Sequence, residues 1–244
     1  MRSRSILALL FGLVLTATLG WSHYTWLVRT HYSASGYTAF LELGHGDKFP
    51  ISEEAPSTTY LKAFLVGQDG ARRALEIATA PSALKIEAKL TSKQMARVYY
   101  VRDRGVISQT SSGWKDGGKD KYPDAKASRR SLQYGVSWVG FTGTTNNAAP
   151  IGLELELNYE SGIRGRLVRA WRNGKPLRNL EIVAILDDEK EIKLGQTDRD
   201  GYVKVSSVPE HVPVLFSASL TEKAPKGSNF DETVLACTFA LPVK

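Results

Sequence analysis

Alternation of apolar and polar residues with a period of two dominates this sequence. In residues 153–158 three leucines alternate with Glu154, Glu156 and Asn158, and a similar pattern begins at Tyr24. Successive side chains of a strand point to opposite faces, so the pattern predicts strands with one apolar and one solvated face. No segment keeps a capped period of 3.6 over three turns, as an amphipathic helix would. The sequence therefore predicts an all-β fold.

Turn-forming residues divide the predicted strands into two groups. The alternation is interrupted over residues 159–165, and beyond them strands and turns follow each other at the spacing of a β-sandwich. We therefore predict two β-sandwich-like domains, one over residues 23–160 and an immunoglobulin-like one over residues 163–244. Residues 105–134 are rich in Gly, Ser, Lys and Asp and lack an apolar period, which predicts a long loop in the first domain.

The N-terminal residues predict export. A basic start precedes an almost uninterrupted apolar run over residues 6–19, which is shorter than the roughly 20 residues of a membrane-spanning helix. Small residues at Gly20 and Ser22 provide a cleavage site, so we predict a signal peptide over residues 1–22 and a periplasmic chain that begins at His23. Cleavage after Gly20 and an uncleaved anchor are the alternatives. No later run reaches spanning length, so the mature chain is predicted to lack a membrane span.

Charge, cysteine content and motifs exclude several function classes. The formal net charge is +7, but the densest basic segment, residues 115–130, interleaves Lys and Arg with Asp and Gly, which indicates a solvated loop and no nucleic-acid partner. The single cysteine, Cys237, excludes an intramolecular disulfide. The sequence lacks the nucleophile-elbow, zinc-protease, dithiol and phosphate-loop signatures. We therefore predict that the protein is not an enzyme.

Histidines near the predicted new N-terminus suggest a metal site. If cleavage follows Ser22, the α-amine and the imidazole of His23 form a chelating pair, and the amine loses its proton readily near neutral pH. The flanking glycines predict that His45 lies in a loop, Gly44 to Asp47. Nitrogen-rich sites without thiolates favour Cu²⁺ or Ni²⁺, with Zn²⁺ less favoured. The candidate metal ligands are His23, His45 and Asp47.

The alternative is that these histidines are ordinary surface or hydrogen-bonded residues, which is the usual case in β-proteins. His31 and His211 are interpreted in that way. The Asp198 to Gly201 segment resembles a calcium loop, but it lacks the downstream bidentate Glu of such loops, and a turn explains it better.

Several segments resemble a bacterial periplasmic family of domains of unknown function that is associated with nickel and cobalt uptake. They are HYTWL (23–27), GHGDKFP (44–50), GVISQT with GWK (105–110, 113–115), NGKPL (173–177) and TDRDG (197–201). The resemblance spans the mature chain. It implies two β-domains, a role in handling nickel or cobalt beside a membrane metal transporter, and metal ligation by His23 and His45.

Three functions follow as hypotheses. The first is a periplasmic accessory protein that binds nickel, cobalt or copper for uptake, with Asp47 supplementing the two histidines. The second is a β-sandwich module that binds a peptide or glycan, or acts as a scaffold, without metal. The third is a copper oxidase, because an N-terminal His with a second His also forms the copper site of polysaccharide monooxygenases.

Overall fold

The computed structural model describes residues 24–92, 94–140, 149–187 and 190–241. These residues form strands and turns and contain no helix, which confirms the predicted all-β class. Accordingly, no helix within these ranges has the length and apolarity needed to cross a bilayer. The predicted signal peptide, residues 1–22, and His23 lie outside the described residues.

The described strands, in chain order, are β1 (Tyr24–Tyr32), β2 (Thr38–Gly46), β3 (Leu61–Val66), β4 (Arg72–Leu75), β5 (Ile77–Thr79), β6 (Leu84–Lys89), β7 (Ala96–Thr110), β8 (Gly113–Asp116), β9 (Ala127–Val139), β10 (Leu155–Gly162), β11 (Gly165–Arg172), β12 (Lys175–Pro176), β13 (Glu181–Leu186), β14 (Glu191–Gln196), β15 (Tyr202–Lys204), β16 (Val214–Lys223) and β17 (Glu232–Leu241).

The described strands form three sheets. The large sheet has the order β14-β13-β16-β17-β9-β7-β3-β4, with β8 paired to β7. The N-terminal sheet has the order β1-β2-β6-β5, and the C-terminal sheet consists of β10, β11, β12 and β15. Pairing is antiparallel except between β17 and β9, which run parallel from Glu232 opposite Arg129 to Phe239 opposite Val136.

The two smaller sheets cover opposite faces of the large sheet. Tyr99 packs into the core shared with the C-terminal sheet, whereas the next residue, Tyr100, packs into the core shared with the N-terminal sheet. Adjacent strand residues point to opposite faces, so these two tyrosines define a three-layer arrangement. A smaller apolar cluster, which includes Trp26 and Phe49, joins the N-terminal sheet to β13, β16 and β17.

The parallel pair β17–β9 makes the large sheet continuous across the predicted domain boundary. The boundary near residues 160–163 falls at the hairpin between β10 and β11, while the large sheet takes strands from both sides of it. The division into two domains, and the immunoglobulin-like character of the second, therefore remain predictions.

Two local predictions are wrong. Most of residues 105–134 is strand, because the end of β7, all of β8 and the start of β9 occupy it. Only residues 111–112 and 117–126 lie between strands. These strands carry many polar residues, so the apolar period of two that identifies a strand is missing from them. Glu156 and Asn158 do not face water, because both are buried. The Glu156 carboxylate accepts the backbone N–H of Ile151 and pairs with Arg97 at 3.2 Å, and Asn158 Oδ1 accepts the Trp138 indole N–H at 2.7 Å.

Candidate metal-binding site

The open end of the β1–β2 hairpin carries His45. Antiparallel register places Thr25 opposite His45 and Tyr24 opposite Gly46. His45 therefore lies within the last residues of β2 and not in the loop that the flanking glycines predicted. Gly44 is needed here because a Cβ at this position would lie 2.5 Å from the indole nitrogen of the buried Trp26.

The imidazole of His45 is held by hydrogen bonds and is only partly exposed. Its Nδ1 lies 2.8 Å from the Thr25 hydroxyl, and its Nε2 lies 3.8 Å from a carboxylate oxygen of Glu54. The exposed fraction of the His45 side chain is 17%. The His45 backbone N–H donates to the Ser52 hydroxyl at 2.9 Å, so residues 52–54 fold back along the end of β2. The Thr25 hydroxyl of β1 and the Glu54 carboxylate thus lie on either side of the ring, one near each ring nitrogen.

Thr25 is itself anchored to the large sheet. Its backbone carbonyl accepts the Tyr100 hydroxyl at 3.0 Å and the Thr238 hydroxyl at 2.8 Å. All three residues are buried, and burial raises the pKa of the Tyr100 phenol, so it remains a hydrogen-bond donor at neutral pH. Because Gly135 lacks a side chain, the Tyr100 ring fits where a Cβ would meet it at 2.2 Å. A buried polar chain therefore connects β7 and β17 through Thr25 to His45.

Acidic side chains surround the same end of the hairpin. Asp47 is exposed just after β2, and its backbone N–H donates to Glu53 Oε2 at 3.0 Å. Gly46 has a φ of +143°, and a Cβ there would lie 2.5 Å from that Glu53 oxygen. Burial raises the pKa of Tyr24, and the negative charges of Glu191 and Asp47 raise it further. The Asp47 carboxylate therefore acts electrostatically on the first residues of β1.

A cleft opens beside this hairpin end, between β1 and the large sheet. Its volume is about 400 Å³, and its walls include Tyr24, Thr25, Gln133 and Thr238. The Tyr24 hydroxyl donates to Glu191 Oε1 at 2.6 Å, and both residues line the cleft. The cleft lies within the range of volumes typical of small-molecule sites, about 300–1,000 Å³.

The predicted ligands differ in what the structure says of them. His45 and Asp47 lie at the same hairpin end as Thr25 and Glu54, whereas His23 lies outside the described residues. Among residues 24–92, 94–140, 149–187 and 190–241, no three His, Cys, Asp or Glu side chains converge as a metal-ligand set. The described donors thus offer one imidazole with carboxylates nearby. They fit a metal site only if His23, the residue before Tyr24, supplies further ligands.

Sequence reasoning missed the residues that orient His45. Thr25 interrupts an otherwise apolar start of β1, and Thr238 interrupts the apolar run of β17. A buried threonine in an apolar strand needs a hydrogen-bond partner, so the sequence did indicate buried hydrogen bonds at these two positions. The identity of the partners did not follow from the sequence. His31, interpreted from the sequence as an ordinary surface or hydrogen-bonded residue, is exposed and stacks on Phe40 with ring centres 4.5 Å apart.

The model of a family described as a domain of unknown function, DUF4198, matches residues 20–221 of the chain. A search of curated protein sequences finds no match to it. The predicted relation to a family of unknown function is therefore confirmed, and its association with nickel and cobalt remains a prediction.

Proposed function

Because the chain belongs to the DUF4198 family, whose function is unknown, we propose a function from the site itself: an exported accessory protein that binds Ni²⁺ or Co²⁺, or alternatively Cu²⁺, for uptake. The ion would lie at the open end of the β1–β2 hairpin. His45 would contribute an imidazole nitrogen, His23 its α-amine and imidazole, and Asp47 a carboxylate. The protein would pass its ion to a membrane metal transporter and would catalyse no reaction.

The observation that carries this proposal is the hydrogen bond between Thr25 and His45 Nδ1. Metal-binding histidines nearly always use the second ring nitrogen for a hydrogen bond that fixes the tautomer and the ring orientation. If Nδ1–H donates to the Thr25 hydroxyl, the lone pair for a metal is on Nε2. An anchored threonine beneath a partly exposed imidazole is the support that a metal ligand requires.

Chain connectivity brings His23 into the proposal. His23 is bonded to Tyr24, and Tyr24 pairs with Gly46, the neighbour of His45. Consecutive Cα atoms are about 3.8 Å apart, so a chain that begins at His23 would carry its α-amine one residue from Tyr24. Glu53 and Glu54 add negative charge that favours a cation. An imidazole–amine donor set favours Ni²⁺ and Cu²⁺ over calcium or magnesium.

Native mass spectrometry of the exported chain, with and without added Ni²⁺, Co²⁺ and Cu²⁺, tests the proposal. We expect a mass that begins at His23 and one tightly held ion. His45→Ala should lose that ion, whereas the matched variant His31→Ala, on the same hairpin but exposed, should keep it. An extra residue before His23 should weaken binding sharply. Equal binding by wild type and His45→Ala would contradict the proposal.

A second candidate function, favoured by the cleft of about 400 Å³ beside Tyr24, is a binding module without a metal. Its ligand would enter between β1 and the large sheet. This function predicts that His45→Ala leaves ligand binding and any uptake phenotype unchanged, so the same variants distinguish the two candidates.

A further inference from the structure

Three arginines line a small notch on the large sheet, which shares the lining residue Gln133 with the cleft beside the hairpin end. Arg102 and Arg104 come from β7 and Arg129 from β9, and the notch has a volume of about 80 Å³. Ser131 and Gln133 complete its polar wall. This volume exceeds the share of one water, about 30 Å³, and is far below that of a drug-sized ligand. The notch therefore has room for a small ion.

The guanidinium groups are close enough to repel each other. Burial lowers the pKa of Arg102 and the neighbouring charge of Arg104 lowers it further. Burial also lowers the pKa of Arg129, where Glu232 opposes the effect and Arg104 adds to it. Like charges placed together in a partly buried notch cost free energy unless an opposite charge joins them.

Hydrogen bonds do not satisfy every N–H donor of the arginines in this notch. Asp116 binds Arg104 at 3.1 Å through one oxygen, and its other oxygen accepts the Tyr60 hydroxyl at 2.8 Å. The negative charge of Glu232 acts on Arg129. Within the described part of the chain, the buried Nε of Arg102 has no hydrogen-bond acceptor. A buried donor without an acceptor is costly.

The side chains that line the notch are the donors that proteins use for oxyanions. A guanidinium presents paired N–H groups that match the oxygens of a carboxylate, phosphate or sulfate. Arg129 is held in place by stacking over the Trp114 ring at 4.2 Å, and Arg102 donates to Gln133 at 3.4 Å. These contacts keep the guanidinium groups at the notch instead of leaving them to move in solvent.

We propose that the notch formed by Arg102, Arg104 and Arg129 is a binding site for a free small oxyanion such as phosphate, sulfate or a carboxylate. The ion would accept hydrogen bonds from two or more guanidinium groups, including the buried Nε of Arg102, and would offset the repulsion between them. This proposal does not rest on the proposed metal function, because none of the residues that line the notch is a candidate metal ligand.

Calorimetric titration of the metal-free full chain with inorganic phosphate, at constant low ionic strength, tests this site. We expect saturable binding of one phosphate. Arg102→Gln should weaken binding at least about ten-fold, the effect of losing one charge-assisted hydrogen bond. Arg104→Gln, at a less buried position, should also weaken it and serves if Arg102→Gln does not fold by circular dichroism. The control Arg199→Gln removes the same charge from an exposed turn and should bind as wild type.

Three results would overturn the proposal. Wild type could show no saturable phosphate binding. Arg199→Gln could lose as much affinity as the notch variants, which would mean that net charge alone attracts the ion. Vesicles of phosphatidylglycerol could bind the wild-type chain while inorganic phosphate does not, which would assign the arginines to a lipid surface.

Discussion

Replacement of Thr25 by valine removes the hydroxyl that orients His45 and little else. Valine has nearly the same shape, and the backbone carbonyl of Thr25 still accepts the hydroxyls of Tyr100 and Thr238. Loss of the 2.8 Å hydrogen bond removes that partner from His45 Nδ1 at a mostly buried position, so we expect a stability loss of about 1 kcal/mol. For a chain of this size that corresponds to a melting-temperature decrease of about 2–4 °C.

The effect on metal affinity should be larger than the effect on stability. Removing the hydrogen-bond partner of a metal-bound histidine typically lowers affinity 10–100-fold, or about 1.4–2.7 kcal/mol. Competition titration of Ni²⁺ against a coloured chelator measures this loss. Thr30→Val is the matched control, because the Thr30 hydroxyl lies 3.0 Å from His31 Nδ1 in the same strand. The reasoning is refuted if Thr25→Val binds Ni²⁺ within two-fold of wild type, or if Thr30→Val weakens binding equally.

Three further changes test the fold that supports the site. Glu156→Ala leaves Arg97 without its buried anion, and the exposed fraction of the Arg97 side chain is only 11%. Urea unfolding should therefore show a decrease of about 3–5 kcal/mol in the free energy of unfolding. A decrease below about 1 kcal/mol would contradict this. Burial raises the pKa of the Cys237 thiol, so maleimide should label it only as the chain unfolds, and rapid native labelling would be inconsistent with the buried position. Gly44→Ala forces a Cβ against the Trp26 indole and should cost about 1–3 kcal/mol, measured by the same urea titration.

Local pattern was enough to predict the fold class but not the assembly of the sheets. Period-two alternation identified strands because each strand expresses it in its own residues. Pairing of β17 with β9 in parallel joins segments that are about a hundred residues apart, and no local signal specifies such a pair. The burial of Glu156 could not be predicted for the same reason, because its partner Arg97 lies 59 residues earlier in the sequence.

The candidate site divides in the same way. His45 and Asp47 could be proposed from sequence because the glycine-flanked segment and its residue types are contiguous. The support beneath them could not, since Thr238 reaches Thr25 across 213 residues. Side chains that position a ligand are chosen by geometry in three dimensions. A sequence shows them only as single polar residues in apolar strands.

The arginine notch adjoins the cleft beside the proposed cation site, which makes coupling between the two proposed sites measurable. Gln133 lines both the cleft beside Thr25 and the arginine notch. Three guanidinium groups raise the electrostatic potential along this face and disfavour a metal cation at His45. An oxyanion in the notch reduces that potential, so phosphate should strengthen Ni²⁺ binding. By linkage, Ni²⁺ must strengthen phosphate binding by the same factor. Arg102→Gln should abolish the coupling and bind Ni²⁺ at least as well as wild type. Phosphate that leaves Ni²⁺ affinity unchanged would show that the two sites act independently.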